Sequence, residues 1–515
     1  MEALTSVLPA IIVLILGLST HRIMLSLCSG ILLASIMSHG FNPALNASKL
    51  IDIFLGNTFA NPNNLYIFGF LLALGAIVTL IQTSGGIYAY RDFAIRNIKT
   101  KKDAETSSIF LSTLLFMDDY LSCLTVGSVM RPLTDSKGVP RIKLAFLVDT
   151  MAAPMAILCP FSSWVAAIMG FLRENGINDV VSENPIIFAN PFSVYLKILP
   201  FLFYSFVLYI STCFLVYKQI SFGPMRKIEQ QTPDFNYEKA AKQKNHLFDF
   251  FGPIITLLLA IAVACLYSGN WKMLGGTNDA FKAMLNSNMA LALFTGGSLT
   301  LVVTSIFFIL TKKISTQISL NNIYIGAKLM FPAICVLILA WSLGDLLRDE
   351  LHTGEQIAKL ISGKVSINLL PTIFFYIATI IAFSLGSSWG TAAILFPIAI
   401  EMLTSFANVS NMDALSSVPL MVPVLAAILS GAVAGDHTSP ISDTTIMSAI
   451  SSEVKLMEHV HTQLPYALPI IISTGISFYL SVRLIDYGFI IASVAPIALA
   501  CLTVIAVYIV LNKNK

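Results

Sequence analysis

Long apolar runs recur along this chain, separated by short polar stretches. A helix needs about 20 apolar residues to cross a bilayer. On that measure spans are expected at roughly 4–19, 23–40, 66–84, 143–170, 192–217, 249–268, 288–311, 322–345, 418–450, 463–483 and 487–511. Two further apolar segments, about 106–131 and 378–403, turn polar at their centres and read as hairpins that enter and leave on one side. One span also breaks: after an apolar start at Ala426 it runs Gly435-Asp436-His437-Thr438-Ser439-Pro440-Ile441-Ser442-Asp443. Irregular backbone facing lipid is not tolerated, so this break must be enclosed by protein or line a cavity. Acidic residues at such depth usually mark an ion or proton path. The pattern predicts an all-α polytopic membrane protein, with about 11 transmembrane helices plus two re-entrant hairpins.

Composition agrees with the pattern. The 515 residues are 56% hydrophobic and only 11% charged, where a soluble chain carries about 25% charged residues. Seven cysteines lie scattered through apolar runs with no C-x-x-C, which argues against a metal site or a disulfide framework. No phosphate loop, dinucleotide fingerprint or H-E-x-x-H helix is present, so the expectation is no enzyme and no cofactor. The N-terminal run lacks a basic leader, and no cleaved signal peptide is expected.

The basic residues set an expected orientation. Arg91, Arg96, Lys99, Lys101, Lys102, Arg131, Lys137, Arg141 and Lys143 fall to one side of the pattern, as do the linker lysines and Lys513 and Lys515. The opposite loops, about 41–64, 171–191 and 269–287, hold few. The bias of Lys and Arg toward the cytoplasm then puts the N-terminus outside and the C-terminus in the cytoplasm.

A polar linker, 218–247, divides the chain into comparable halves, 1–217 and 248–485, with 486–515 as an additional C-terminal span. Each half shows spans, a short amphipathic stretch (87–99 and 355–362), a polar-centred hairpin (106–131 and 378–403), a broken span (143–170 and 418–450) and one more span. Five full spans per half is an odd number, so the halves would insert as inverted repeats. Paired interrupted segments in two such halves are the best sequence pointer to a binding site at the bilayer midplane.

The candidate chemistry sits at these interruptions. Asp118 and Asp119 lie at the first hairpin's centre, Asp436 and Asp443 at the second broken span. Carboxylates crowded together favour one proton among them, which suits exchange of a proton for a cation. Thr438, Ser439 and Ser442 add neutral oxygens of the kind hard cations take, and Na+ is expected at Asp436, Asp443 and Asp118. Ser162, Ser163, Ser387, Ser388, Thr391 and His437 are supporting candidates. The competing reading gives the Asp and Ser residues helix caps, and the hydroxyls ordinary helix packing. Trp164 and Trp389 each follow a Ser-Ser pair, a repetition that suggests equivalent packing at two tips. Asp149 is a further relay candidate within a span, and His459 and His461 are expected in a cytoplasmic turn.

Phe116-Met117-Asp118-Asp119-Tyr120, the run from Val126 to Asp135 and Asp149-Thr150-Met151-Ala152-Ala153-Pro154 resemble the NhaC-type sodium/proton antiporter family. Gly386-Ser387-Ser388-Trp389-Gly390-Thr391 and the stretch from Gly435 to Asp443 are similar to that family's second-half motifs. The resemblance spans roughly 66–450. It implies a secondary transporter of a bacterial inner membrane that exports Na+ in exchange for H+, with Asp118, Asp119, Asp436 and Asp443 handling cation and proton. The family also includes exchangers of small organic anions and amino-acid carriers, so a Na+- or H+-coupled carrier of a small carboxylate or amino acid is the alternative. Expected partners are the lipid bilayer and small cations or a small organic solute, with no nucleic acid and a homodimer as a possible assembly.

Overall fold

The computed structural model describes residues 6–20, 22–53, 59–86, 89–90, 98–180, 185–231, 246–361, 364–409 and 412–513, and nearly all of them are helical. Among the described residues ten helices are long and apolar enough to cross a membrane, or eleven if one bent pair counts as a span. The bent pair was not expected. It joins α1's neighbour α2 (Ile23–His39) to α3 (Pro43–Ile51) at 119°, α1 being Leu8–Thr20. Gly40 has the positive φ that ends α2, and Asn42 and Pro43 restart the chain as cap and first turn.

The first half continues with α4 (Pro62–Thr83), α5 (Lys101–Leu114), α6 (Asp119–Ser136), α7 (Arg141–Ala156) and α8 (Ser163–Glu174). A two-residue parallel pair, β1 (Ile177–Asn178) with β2 (Ile187–Phe188), follows. The expected span at 192–217 is divided: α9 (Pro191–Ile198) passes through a 3-10 turn into α10 (Phe203–Lys218). Pro200 lies in that turn and cannot supply an amide to the helix. The linker contains α11 (Gly223–Gln231), and residues 232–245 lie outside the described residues. Most of the amphipathic stretch at 87–99 does too.

The second half comprises α12 (Phe248–Ser268), α13 (Ala280–Leu285), α14 (Met289–Leu310), α15 (Thr316–Asp345), α16 (Thr353–Ile361), α17 (Leu370–Leu385), α18 (Ser388–Phe406), α19 (Met421–Thr438), α20 (Asp443–Ser451) and α21 (Leu456–Arg483). The last helix is α22 (Phe489–Lys513). The expected hairpins thus fall on α5–α6 and α17–α18, and the expected broken spans on α7–α8 and α19–α20. The second hairpin's arms are each long enough to cross, but its turn at Gly386 is buried within the bundle. His459 is a correction: it stands inside α21, fully buried, because that helix starts at Leu456 rather than near 463.

Glycines set the closest helix contacts. Gly75 of α4 and Gly326 of α15 cross so tightly that a Cβ on either would lie 2.2–2.3 Å from the other's carbonyl oxygen. Gly431 and Gly435 of α19, four residues apart, press on α17, where added Cβ atoms would lie 2.3 and 2.1 Å from the Phe375 and Thr379 carbonyl oxygens. Small residues at this spacing let membrane helices pack backbone to backbone.

Candidate functional site

Each interruption has a local cause. In α7–α8, Pro160 disfavours helix at Cys159, and Ser162 restarts it by accepting the Val165 amide. In α19–α20, Pro440 does the same to Ser439, which is extended, and Ser442 accepts the Thr445 amide. In the second hairpin, Gly386 takes the left-handed conformation that ends α17, and Ser387 caps α18. A side chain at Gly386 would also meet the Ile441 carbonyl oxygen at 2.5 Å, so this tip lies against the α19–α20 break. The Ser439 hydroxyl fixes that contact, donating to the Phe383 carbonyl at 2.7 Å.

The first tip lies against the first break in the same manner. The Ser163 amide donates to the Met117 carbonyl at 2.9 Å, and its hydroxyl donates to Asp118 Oδ2 at 3.1 Å. The Trp164 indole donates to Asp119 Oδ2 at 3.0 Å. In the second half the Ser388 hydroxyl donates to Asp436 Oδ2 at 2.8 Å. The same Ser–Asp bond is therefore made twice with the carriers exchanged. The hairpin brings the Asp in the first half and the Ser in the second.

Four helices, α6, α8, α18 and α20, begin at these tips and breaks, and four others, α5, α7, α17 and α19, end there. Helix starts present amides and partial positive charge, and helix ends present free carbonyls. Asp118, Asp119 and Asp436 are buried. Asp443 is the exposed member, beside the Tyr120 hydroxyl. Asp119 lies within electrostatic reach of Asp118 and Asp436, and Asp436 of Asp443. Among the described residues neither Asp119 nor Asp436 pairs with a Lys or Arg. Asp436 Oδ1 is buried without a hydrogen-bond partner among the described residues.

The hydroxyl candidates divide. Ser163 and Ser388 reach the carboxylates, Ser162, Ser387 and Ser442 cap helices, and Ser439 ties tip to break. Thr391 and Thr438 donate back to carbonyls of their own helices. Trp164 and Trp389 do not occupy equivalent places: one starts a broken-span helix and the other a hairpin arm. They meet edge-on, 6.1 Å between ring centroids.

His437 belongs to a second polar group that the sequence did not assemble. Its Nδ1 shares a hydrogen bond with Tyr204 at 2.8 Å and its Nε2 with Thr150 at 3.2 Å. Gln463 donates to the His437 carbonyl and also to Asp149 Oδ2, at 2.8 Å for the latter. His459 Nε2 lies 3.2 Å from the same Asp149 oxygen. The sequence signal was the i, i+4 spacing of His459 and Gln463, legible only with α21 extended by two turns.

At the ends of α6 and α7 away from the tips, Arg131 and Arg141 both pair with Glu453, and Arg141 also holds Asp135 at 2.8 Å. Buried Lys143 pairs with Glu105 at 2.9 Å and with Glu229 of α11 at 3.0 Å.

A model of the Na+/H+ antiporter family matches residues 155–481. The chain is 30% identical to an uncharacterized protein of Haemophilus influenzae over 99% of its own length and 95% of that protein's. A shorter stretch, 30% of this chain, is 30% identical to 29% of the malate-2H(+)/Na(+)-lactate antiporter of Bacillus subtilis. Among solved structures, the YdaH transporter of Alcanivorax borkumensis has the same fold, with a TM-score of 0.56 at 14% identity, covering 90% of this chain and 98% of that one.

Proposed function

The chain belongs to the Na+/H+ antiporter family and is a multi-pass secondary transporter, and from that premise we propose that it exports cytoplasmic Na+ in exchange for external protons by alternating access. The supporting observation is the charge balance at Asp119 and Asp436. Both are buried, they lie within reach of each other, and among the described residues no Lys or Arg offsets them. An uncompensated buried carboxylate costs several kcal/mol, so each conformation needs a proton or a cation there. Competition of Na+ and H+ for that charge is sufficient for coupling. Asp436, Asp443 and Asp118 are the proposed Na+ ligands, with Asp436 Oδ1 turned to the ion. Carbonyls at the ends of α17 and α19 supply further hard oxygens.

A bacterial inner membrane, with the N-terminus outside, fits the Lys and Arg bias and the cytoplasmic cluster of Lys143, Glu105 and Glu229.

A second reading has its own support. Four helix N-termini, three of them capped by serine, converge on the site, a favourable setting for a carboxylate group of an organic substrate. The Asp residues would then hold only the coupling cation.

Proteoliposomes containing this protein alone, loaded with a pH gradient, separate the two. Collapse of the gradient on adding Na+, lost in Asp436→Asn and Asp119→Asn, is the expected result. A response only when an organic acid or amino acid is supplied refutes Na+/H+ exchange and supports the solute carrier. Li+ and K+ in parallel set the ion preference.

A further inference from the structure

We propose that Asp149 and His459 form a second ion site, separate from the carboxylates at the tips, which takes up a proton on His459 Nδ1. The pair lies between α7 and α21. Asp149 is 2% exposed, His459 0% and Gln463 1%. Three of their polar atoms are buried with no hydrogen-bond partner among the described residues: Asp149 Oδ1, His459 Nδ1 and Gln463 Oε1. Unsatisfied buried polar atoms are costly and rare, and three in one contact group point to a missing ligand.

The chemistry follows from the tautomer. With Asp149 ionised, the Nε2–H of His459 donates to Oδ2, which leaves Nδ1 as a bare lone pair. The pair then carries one negative charge among apolar helices. A proton taken from water forms an N–H bond at Nδ1 and leaves the Nε2 bond intact. The product is an imidazolium against a carboxylate, with no net charge, and release reverses the step.

The surrounding titratable groups leave that charge standing. From α6 comes Cys123, from α10 Tyr204, and from α19 His437 and Asp436. Further along α7, Lys143 is engaged with Glu105 of α5 and Glu229 of α11. Tyr508 of α22 donates to a carbonyl of α21.

The site is also wired to the tips. Gln463 donates both to Asp149 and to the carbonyl of His437, the neighbour of Asp436. A change of charge on the Asp149–His459 pair therefore reaches the backbone beside Asp436 through the Gln463 amide group. That coupling rests on the antiport reading; the protonation itself does not.

The test has two arms on the full-length purified protein. Nitrogen-15 NMR of histidine-labelled protein, which has seven histidines, should show among them a His459 ring whose Nδ1 gains a proton as the pH is lowered across the range in which the protein stays folded. That signal should be absent in His459→Gln and shifted in Asp149→Asn. A His459 ring with no change across the range, or one indifferent to Asp149→Asn, overturns the proposal. Where His459→Gln yields no folded protein, the Asp149→Asn shift decides alone.

The second arm measures Na+ self-exchange and pH-gradient-driven Na+ flux in proteoliposomes. His459→Gln should keep the exchange and lower the driven flux, the carboxylates at the tips still coupling part of it. Retention of both, or loss of both, overturns the proton role. Absence of both in the unaltered protein counts against Na+ antiport instead, and the NMR titration still decides this site.

Discussion

The indole of Trp164 meets the indole of Trp389 edge-on, with 6.1 Å between ring centroids and 78° between planes. This contact joins the start of α8 to the start of α18, so the two halves of the chain touch where their serine caps lie. The two rings differ in one respect. Trp164 donates to Asp119, whereas the Trp389 N–H is buried without a partner among the described residues.

That difference predicts unequal substitutions. Trp164→Phe keeps much of the ring contact but strips a donor from a buried carboxylate, at a cost of about 1–3 kcal/mol. Trp389→Phe removes no bond and should cost under about 1.5 kcal/mol. Unfolding in detergent and transport rate should both rank Trp164→Phe as the more damaging; the reverse order would contradict the geometry.

Ser388→Ala removes the donor on Asp436 Oδ2. Losing a hydrogen bond to the ionised form favours the protonated one. Half-saturation for Na+ should rise by about 5- to 150-fold, equivalent to roughly 1–3 kcal/mol, and the working range should move to higher pH. Flux measured against Na+ concentration at several pH values checks both. Ser388→Cys should fall between alanine and the native residue.

Gly435→Ala places a methyl 2.1 Å from the Thr379 carbonyl oxygen. Overpacking of this kind costs about 1–3 kcal/mol, and backbone offers no side chain to move aside. The thermal midpoint should drop for Gly435→Ala and Gly431→Ala, and hold for Gly275→Ala, which has open space but a positive φ, to within a smaller penalty.

Lys143→Met leaves Glu105 buried without its cation. Breaking a buried pair from one side costs about 3–5 kcal/mol, and replacing both partners by apolar groups is far milder. Lys143→Met should therefore lower stability sharply, and Lys143→Met with Glu105→Leu should recover part of it, as read by unfolding midpoints.

The helices and their interruptions were legible because both leave local marks. Apolar length gives a span, and Gly386, Pro160 and Pro440 with a following serine give a break. Asp118, Asp119 and Asp436 were legible because a carboxylate in an apolar run is conspicuous. Which residues meet across the bundle was not. The exchange of Ser and Asp between hairpin and broken span, and the meeting of Trp164 with Trp389, depend on packing between distant segments. Tyr204 and Gln463 were missed since one polar residue in a long helix carries no periodic signal. His459 was misplaced for a simpler reason: its helix begins with polar residues that hydropathy assigns to a turn.

The seating of Gly431 and Gly435 on α17 has a mechanical consequence. With backbone against backbone there is no layer of side chains in which α17 and α19 can slide, so the two parallel helices form one stiff beam. Asp436 rides near the end of that beam with the Gly386 turn beside it. Motion of Asp443 and α20 relative to Asp436 is therefore confined to the non-helical joint, the four residues from Ser439 to Ser442, and larger excursions of Asp436 must carry the beam whole.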